Sequence, residues 1–341
     1  MGIAPEPTLR HRRRGRRWHW LCLLLLGASA HAQTCQNAAD MAAPVRTAIE
    51  NAAQRYFEMS ARGDVAALQQ NSIASVAASF AGIEAAVKEN QAAFTGAKAT
   101  LRPPFLLTVD GPGPLERAEF LCGVFGPSGQ TKGSAVFVLI NLPPGKYGVT
   151  ILDVNGGQEP RTLAFVLQQA GADWKLAGFY AKAAQASGHD AAWFTQQARD
   201  FKAKGQIHNA WLYYREASSL SAPVDFMSTL ATDKLYDEAQ AAQPADMPAN
   251  ASTRDMSAGG KVYHLTDIFP LAVGNDLDVV VKYQAADVSN SALTFPENTA
   301  VIKALVAKFP EFREAFAGVV ARAVDPSGRD YGSLLEMKEI K

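Results

Sequence analysis

Histidine, cysteine and carboxylate are the side chains here whose types could do chemistry. The chain has six histidines. His11, His19 and His31 fall in an N-terminal segment treated below, which leaves His189, His208 and His264. None forms H-x-x-x-H or H-E-x-x-H, so no two imidazoles share a helix face as paired zinc ligands do. There is no G-x-S-x-G nucleophile turn, no G-x-x-x-x-G-K-[ST] phosphate cradle and no G-x-G-x-x-G. A solitary imidazole in such a context is a structural or surface residue more often than a base. Glu119 and Asp153, on or beside strand-like runs, are the carboxylates that would act as acid and base in a hydrolase or isomerase working without histidine. Strand alternation decides that question, because a carboxylate turned to solvent has no apolar site to work in. Asp267, Asp276 and Asp278 flank the loop Val273-Gly274-Asn275 without the ligand spacing of an EF-hand. The sequence therefore assigns no catalytic residue, no metal and no cofactor.

Residues 1–32 read as an export signal. Arg10, Arg12, Arg13, Arg14, Arg16 and Arg17 form a basic start, Trp18 to Leu26 a short apolar core, and Ala30-His31-Ala32 an A-x-A cleavage site. The apolar run is well short of the ~20 residues that span a bilayer. This segment holds six of the 33 basic and one of the 33 acidic side chains, so the remainder carries a formal excess of about five negative charges. A nucleic-acid role loses its basic footprint with it. No later apolar run is long enough for a membrane helix, and the expected product is a soluble periplasmic or secreted protein.

Cys22 leaves with that segment, and Cys35 and Cys122 remain. An even pair in an oxidising compartment predicts a disulfide. It would tie the N-terminal tail to a strand and stabilise the fold by roughly 2–4 kcal/mol.

Those residues need elements to position them. Val45 to Arg62 reads as a helix, with Val45, Ile49, Ala52, Tyr56 and Met59 spaced as one buried stripe. Gly63 suits its C′ position and Asp64 the next N-cap. A second helical stretch is predicted to run to about Phe94 through Ile73, Val76, Phe80, Ile83 and Val87. From Pro104 the period becomes strand-like. Runs at 105–109, 119–125, 134–140, 146–154, 162–168 and 174–180 are separated by Gly- and Pro-rich turns, which favours an antiparallel sheet. Tyr56-Phe57 through Arg62-Gly63-Asp64-Val65-Ala66-Ala67-Leu68, with the closing strand Asp173-Trp174-Lys175-Leu176, resembles the cone-shaped NTF2-like fold. That resemblance implies a ligand pocket in the cone of residues 33–185. Asn141-Leu142-Pro143-Pro144-Gly145-Lys146-Tyr147-Gly148-Val149 resembles a turn-strand motif of Ig-like sandwiches, the second-ranked architecture.

Residues 191–224 read as two short amphipathic helices meeting at Gly205. Ala198, Phe201, Gly205, Ala210, Tyr214 and Ala217 fall where a tetratricopeptide repeat (TPR) carries small residues, aromatics and its turn glycine, and Pro223 comes one residue after the place of its terminal proline. The segment 189–240 thus resembles a single TPR-like hairpin, with 224–239 as a capping helix. The resemblance implies a protein-interaction surface. On the first helix, Thr195, Arg199 and Lys202 share one face through spacings of four and three, and they are the candidate binding residues.

Residues 241–260 lack apolar periodicity and read as a linker. Beyond them, 261–341 is expected to form a small ββαββ unit, with a helix from about Pro296 to Phe309 and a closing hairpin through Asp325-Pro326-Ser327-Gly328. The expected class is α+β: helices on an antiparallel sheet, a central helical hairpin, and a small C-terminal α+β unit. The expected function is an exported binding or assembly module, taking a protein partner through the hairpin or a small ligand in the first domain. The alternatives are the histidine-independent enzyme and a structural envelope protein.

Overall fold

The computed structural model describes residues 32–249 and 252–341. Apart from Ala32, the expected export signal lies outside the described residues. The chain begins with β1 (Ala32–Gln36) and then α1 (Ala43–Ala61), which buries Ile49, Ala52, Ala53, Tyr56 and Met59 as its stripe requires. Gly63 takes φ +67° just past its end, and the Asp64 carboxylate accepts the Ala67 N–H to start α2 (Val65–Gln70). The expected long second helix is instead broken into α2, α3 (Ala74–Ala77), α4 (Ala81–Glu89) and α5 (Gln91–Phe94). The first break has a backbone cause. Leu176 N–H donates to Asn71 O at 3.0 Å and Ile73 N–H to Leu176 O at 2.9 Å, so the chain joins a strand where a helix would continue.

Nine strands follow in the first part of the chain. These are β2 (Lys98–Leu101), β3 (Phe105–Asp110), β4 (Leu115–Cys122), β5 (Phe125–Gly126), β6 (Gly129–Gln130), β7 (Ala135–Leu142), β8 (Gly145–Asn155), β9 (Arg161–Ala170) and β10 (Asp173–Ala183). The main sheet runs β1-β3-β8-β9-β10, antiparallel throughout, with β2 also on β8. Alternation gives it two covered faces. Leu152, Leu163, Phe165 and Leu167 face the helices, where Tyr56, Phe57, Phe94 and Phe179 fill the space between. Leu107, Val109, Val149 and Val166 face a second sheet of β4 and β7 through Phe120, Phe137 and Leu142. Cys35 in β1 and Cys122 in β4 form a disulfide across these two sheets, with their Cα atoms 5.1 Å apart.

The β8–β9 turn depends on one glycine. A Cβ on Gly157 would sit 1.9 Å from the Ala93 carbonyl oxygen at the end of α5, a contact with backbone that cannot rotate away. Gly157→Ala is expected to lower the unfolding free energy by roughly 1–3 kcal/mol in urea titration. An unchanged midpoint would show that this close approach is not held in solution.

The expected hairpin is present as α6 (Ala191–Ala203) and α7 (Ile207–Ser221), with Gly205 at φ +79° between them. The expected capping helix starts later than its apolar pattern suggests. Val138 N–H donates to Phe226 O at 2.9 Å, and β11 (Met227–Thr229) pairs with β7, so 224–229 extends the second sheet. Only then does α8 (Leu230–Ala241) begin, on a Thr229/Thr232 capping box.

The segment read as a linker also needs correction. Its far end forms β12 (Arg254–Ala258), which turns Met256 and Ala258 inward. β13 (Lys261–Val273), β14 (Asp276–Gln284), α9 (Ser291–Lys308), α10 (Phe312–Ala315), β15 (Gly318–Val324) and β16 (Asp330–Glu336) complete the described chain. α9 starts at Ser291, ahead of Pro296, because the Asn290 side chain accepts the Ala292 N–H at 3.1 Å. The sheet order is β12-β13-β14-β15-β16, antiparallel except for the parallel β14–β15 pair that α9 connects. Phe194, Phe201, Tyr213, Val301, Leu305, Phe312 and Phe316 belong to one core, so hairpin and C-terminal sheet are packed as a single body. The Tyr213 hydroxyl donates to Ala315 O at 2.7 Å across that junction. The architecture is α+β. Among the described residues no helix is long and apolar enough to cross a membrane.

Candidate functional site

The second sheet covers only part of the main sheet, and this creates the site. Along the outward face of β8, Tyr147 and Val149 meet the second sheet, while Ile151 meets Val224, Phe226 and Met227. Asp153 comes next and is uncovered. Its cross-strand neighbour is Thr162 on β9, which in turn faces Lys182 on β10. Above this floor lie the start of α6, the end of α7 and the first turns of α8. Together they enclose a cleft of about 880 Å³, within the ~300–1,000 Å³ usual for ligand sites.

Two ion pairs stand in its walls. Arg102 donates from Nε and Nη2 to the two Asp153 oxygens, at 3.0 and 2.6 Å. Arg199 on α6 grips Glu238 on α8 in the same two-pronged way, at 2.8 and 2.7 Å, and the Tyr214 hydroxyl donates to Glu238 at 3.0 Å. Such forked pairing fixes both planes at once. The hydrogen bond from Arg199 holds the Glu238 carboxyl below its ordinary range, and the same bond raises Arg199. Burial and the Glu238 acceptor push the Tyr214 phenol up to about 12. The cleft is lined by Arg102, Arg199 and Lys234 against Asp153, Asp190 and Glu238. Its charges balance, and two of the cations are already engaged. This arrangement can hold a polar ligand by exchangeable hydrogen bonds.

Thr195 and Arg199 both line the cleft, although the Thr195 hydroxyl donates to Ala191 O at 2.7 Å within its own helix. Lys202 shares their helix face but lies beyond the Arg199–Glu238 pair, exposed and outside the lining; its charge also favours the Glu238 carboxylate. Glu119 points to solvent beside Arg117 at 3.2 Å, since Ala118 and Phe120 take the inward positions of β4. Asp153 is committed to Arg102. Neither carboxylate occupies an apolar cavity.

The histidines have structural surroundings. His208 puts Nδ1 2.6 Å from Glu311 and Nε2 3.0 Å from Asp246, which clamps the start of α7 to two distant segments. His189 stacks on Trp193 at 3.7 Å, and His264 meets Asp255 at 2.6 Å on the surface. Among the described residues no three His, Cys, Asp or Glu groups gather as metal ligands. Arg102, Lys234 and Glu238 carry no sequence signal, because their partners are distant in the chain. No family model, no curated protein and no solved structure matches this chain.

Proposed function

We propose that the protein is an exported binding or assembly module whose ligand occupies the cleft between the main sheet and the TPR-like hairpin. The observation that carries this reading is the cleft itself: α6 presents Thr195 and Arg199 to a space of about 880 Å³ floored by Asp153 and Thr162. The balanced charges favour a ligand rich in both donors and acceptors, such as an extended peptide segment or a polar small molecule. The NTF2-like reading would put a ligand between the helices and the main sheet, but Tyr56, Phe94, Phe165 and Phe179 fill that space. The A-x-A signal and the Cys35–Cys122 bond both suit an oxidising compartment outside the cytoplasm.

Ala192 is exposed and lines the cleft, so Ala192→Trp blocks it without touching the core. Protein starting at Gln33 is expected to retain a peptide or small polar molecule from extracytoplasmic extract, identified by mass spectrometry. Affinity for the isolated ligand should fall about tenfold or more in Ala192→Trp, the scale of one lost anchoring contact, and should hold in Lys202→Ala. A ligand kept equally by Ala192→Trp would place binding elsewhere.

A further inference from the structure

On the other side of the β11–α8 junction lies a second cavity, of about 370 Å³. Its walls are Phe105 on β3, Ala135 on β7, Met227 on β11 and Leu230 at the start of α8, with Lys132 and Lys234 at its edge. Phe105, Met227 and Leu230 are half-buried and Ala135 is buried, which gives the cavity an apolar floor below an exposed rim. The Phe105 ring is held edge-on to Phe137 at 5.0 Å, which keeps the wall in place.

The two lysines set the charge at the mouth. Among the described residues neither forms an ion pair, whereas nearby Lys182 is matched to Asp225 at 3.1 Å. Asp233, next to Lys234 in the first turn of α8, accepts from the Gln130 side chain on β6 and forms an ion pair with neither lysine. An apolar chamber with unmatched positive charge at its mouth fits one class of molecule, an apolar chain ending in an anion.

We infer that this cavity binds an anionic amphiphile, an alkyl carboxylate of medium length, with the chain against Phe105, Met227 and Leu230 and the carboxylate between Lys132 and Lys234. The site abuts the cleft and shares Met227, Thr229, Ala231 and Lys234 with its wall, while Phe105, Lys132 and Ala135 belong to this cavity alone. It stands on its own observations and does not require the cleft to have a ligand.

Calorimetric titration of protein starting at Gln33 with octanoate tests this, with octanol and octylammonium as matched probes. Octanoate is expected to bind, and hexanoate to bind more weakly by roughly 4-fold per methylene removed. Octylammonium should be weaker than octanoate by about tenfold or more, through the reversed charge at the mouth. Both lysines are exposed, so Lys132→Glu/Lys234→Glu keeps the fold and should weaken octanoate by a similar factor. Ala231→Trp, on the exposed rim common to the cavity and the cleft, should block the cavity, and Ala192→Trp separates the two spaces. Absence of octanoate binding, equal binding of octanol, or full octanoate affinity in the lysine variant would each overturn the assignment. Ala192→Trp leaves octanoate binding unchanged here, so a failure of this site and a failure of the cleft give different results.

Discussion

Glu216→Gln is expected to raise the unfolding free energy by about 3 kcal/mol at pH 8 and to change it little at pH 4. Glu216 sits half-buried on α7, and burial pushes its carboxyl up to about 7, against a small opposing effect from Arg215. No ion pair or side-chain hydrogen bond compensates it among the described residues. The native state therefore holds this proton more tightly than the unfolded chain, where the carboxyl titrates near 4.5. Stability is highest while the group is protonated in both states. It falls as pH rises from about 4.5 to about 7, and is level above that. Glutamine cannot ionise and removes the slope. Urea titrations of both proteins at pH 4, 6 and 8 should diverge steadily, with the wild type below. Parallel pH profiles would show that Glu216 is solvated.

Replacing both Cys35 and Cys122 by alanine is expected to cost about 3–4 kcal/mol, because the bond closes a long loop in the unfolded chain. The two residues are 87 apart in sequence, and each lies in a different sheet. The main sheet also loses its only disulfide cross-link to the second sheet among the described residues. In urea the wild type with reductant should match the variant. Without reductant it should unfold at clearly higher denaturant. If reductant changes the wild-type midpoint by less than the error of the titration, the bond lies between parts already ordered in the unfolded ensemble.

Local pattern in the sequence reveals the elements, and distance in the sequence hides the site. The stripe of Val45, Ile49, Ala52, Tyr56 and Met59 is short-range, and α1 follows it. The same holds for the turn at Gly205, whose positive φ between α6 and α7 favours glycine. β11 is three residues long and exists only because β7, some 90 residues earlier, offers Phe137, Val136 and Ala135 as partners. No periodicity can announce that. The candidate face of Thr195 and Arg199 is readable from helix geometry, but the partner that defines it is not. Glu238 lies 39 residues on, and Asp153 is paired 51 residues from Arg102. Asp153 stands out in the sequence as a carboxylate beside a strand. What decides its role is where the covering sheet stops, which is a tertiary fact.

The parallel β14–β15 pair sets an order of events during synthesis. The disulfide and the sheets it joins, apart from β11, need nothing beyond residue 183, so that half can consolidate early. The hairpin cannot. Tyr213 waits for Ala315, 102 residues later, and Asn209 for the Glu311 carbonyl at the same separation. Until α9 has crossed over and β15 has docked beside β14, Tyr213 lacks its Ala315 and Phe316 neighbours, and the hairpin face that meets the C-terminal sheet has no cover. Contacts this distant form slowly, and exposed apolar helices are the surfaces chaperones hold. The newly made chain is therefore half finished and half adhesive for as long as its last hundred residues take to appear.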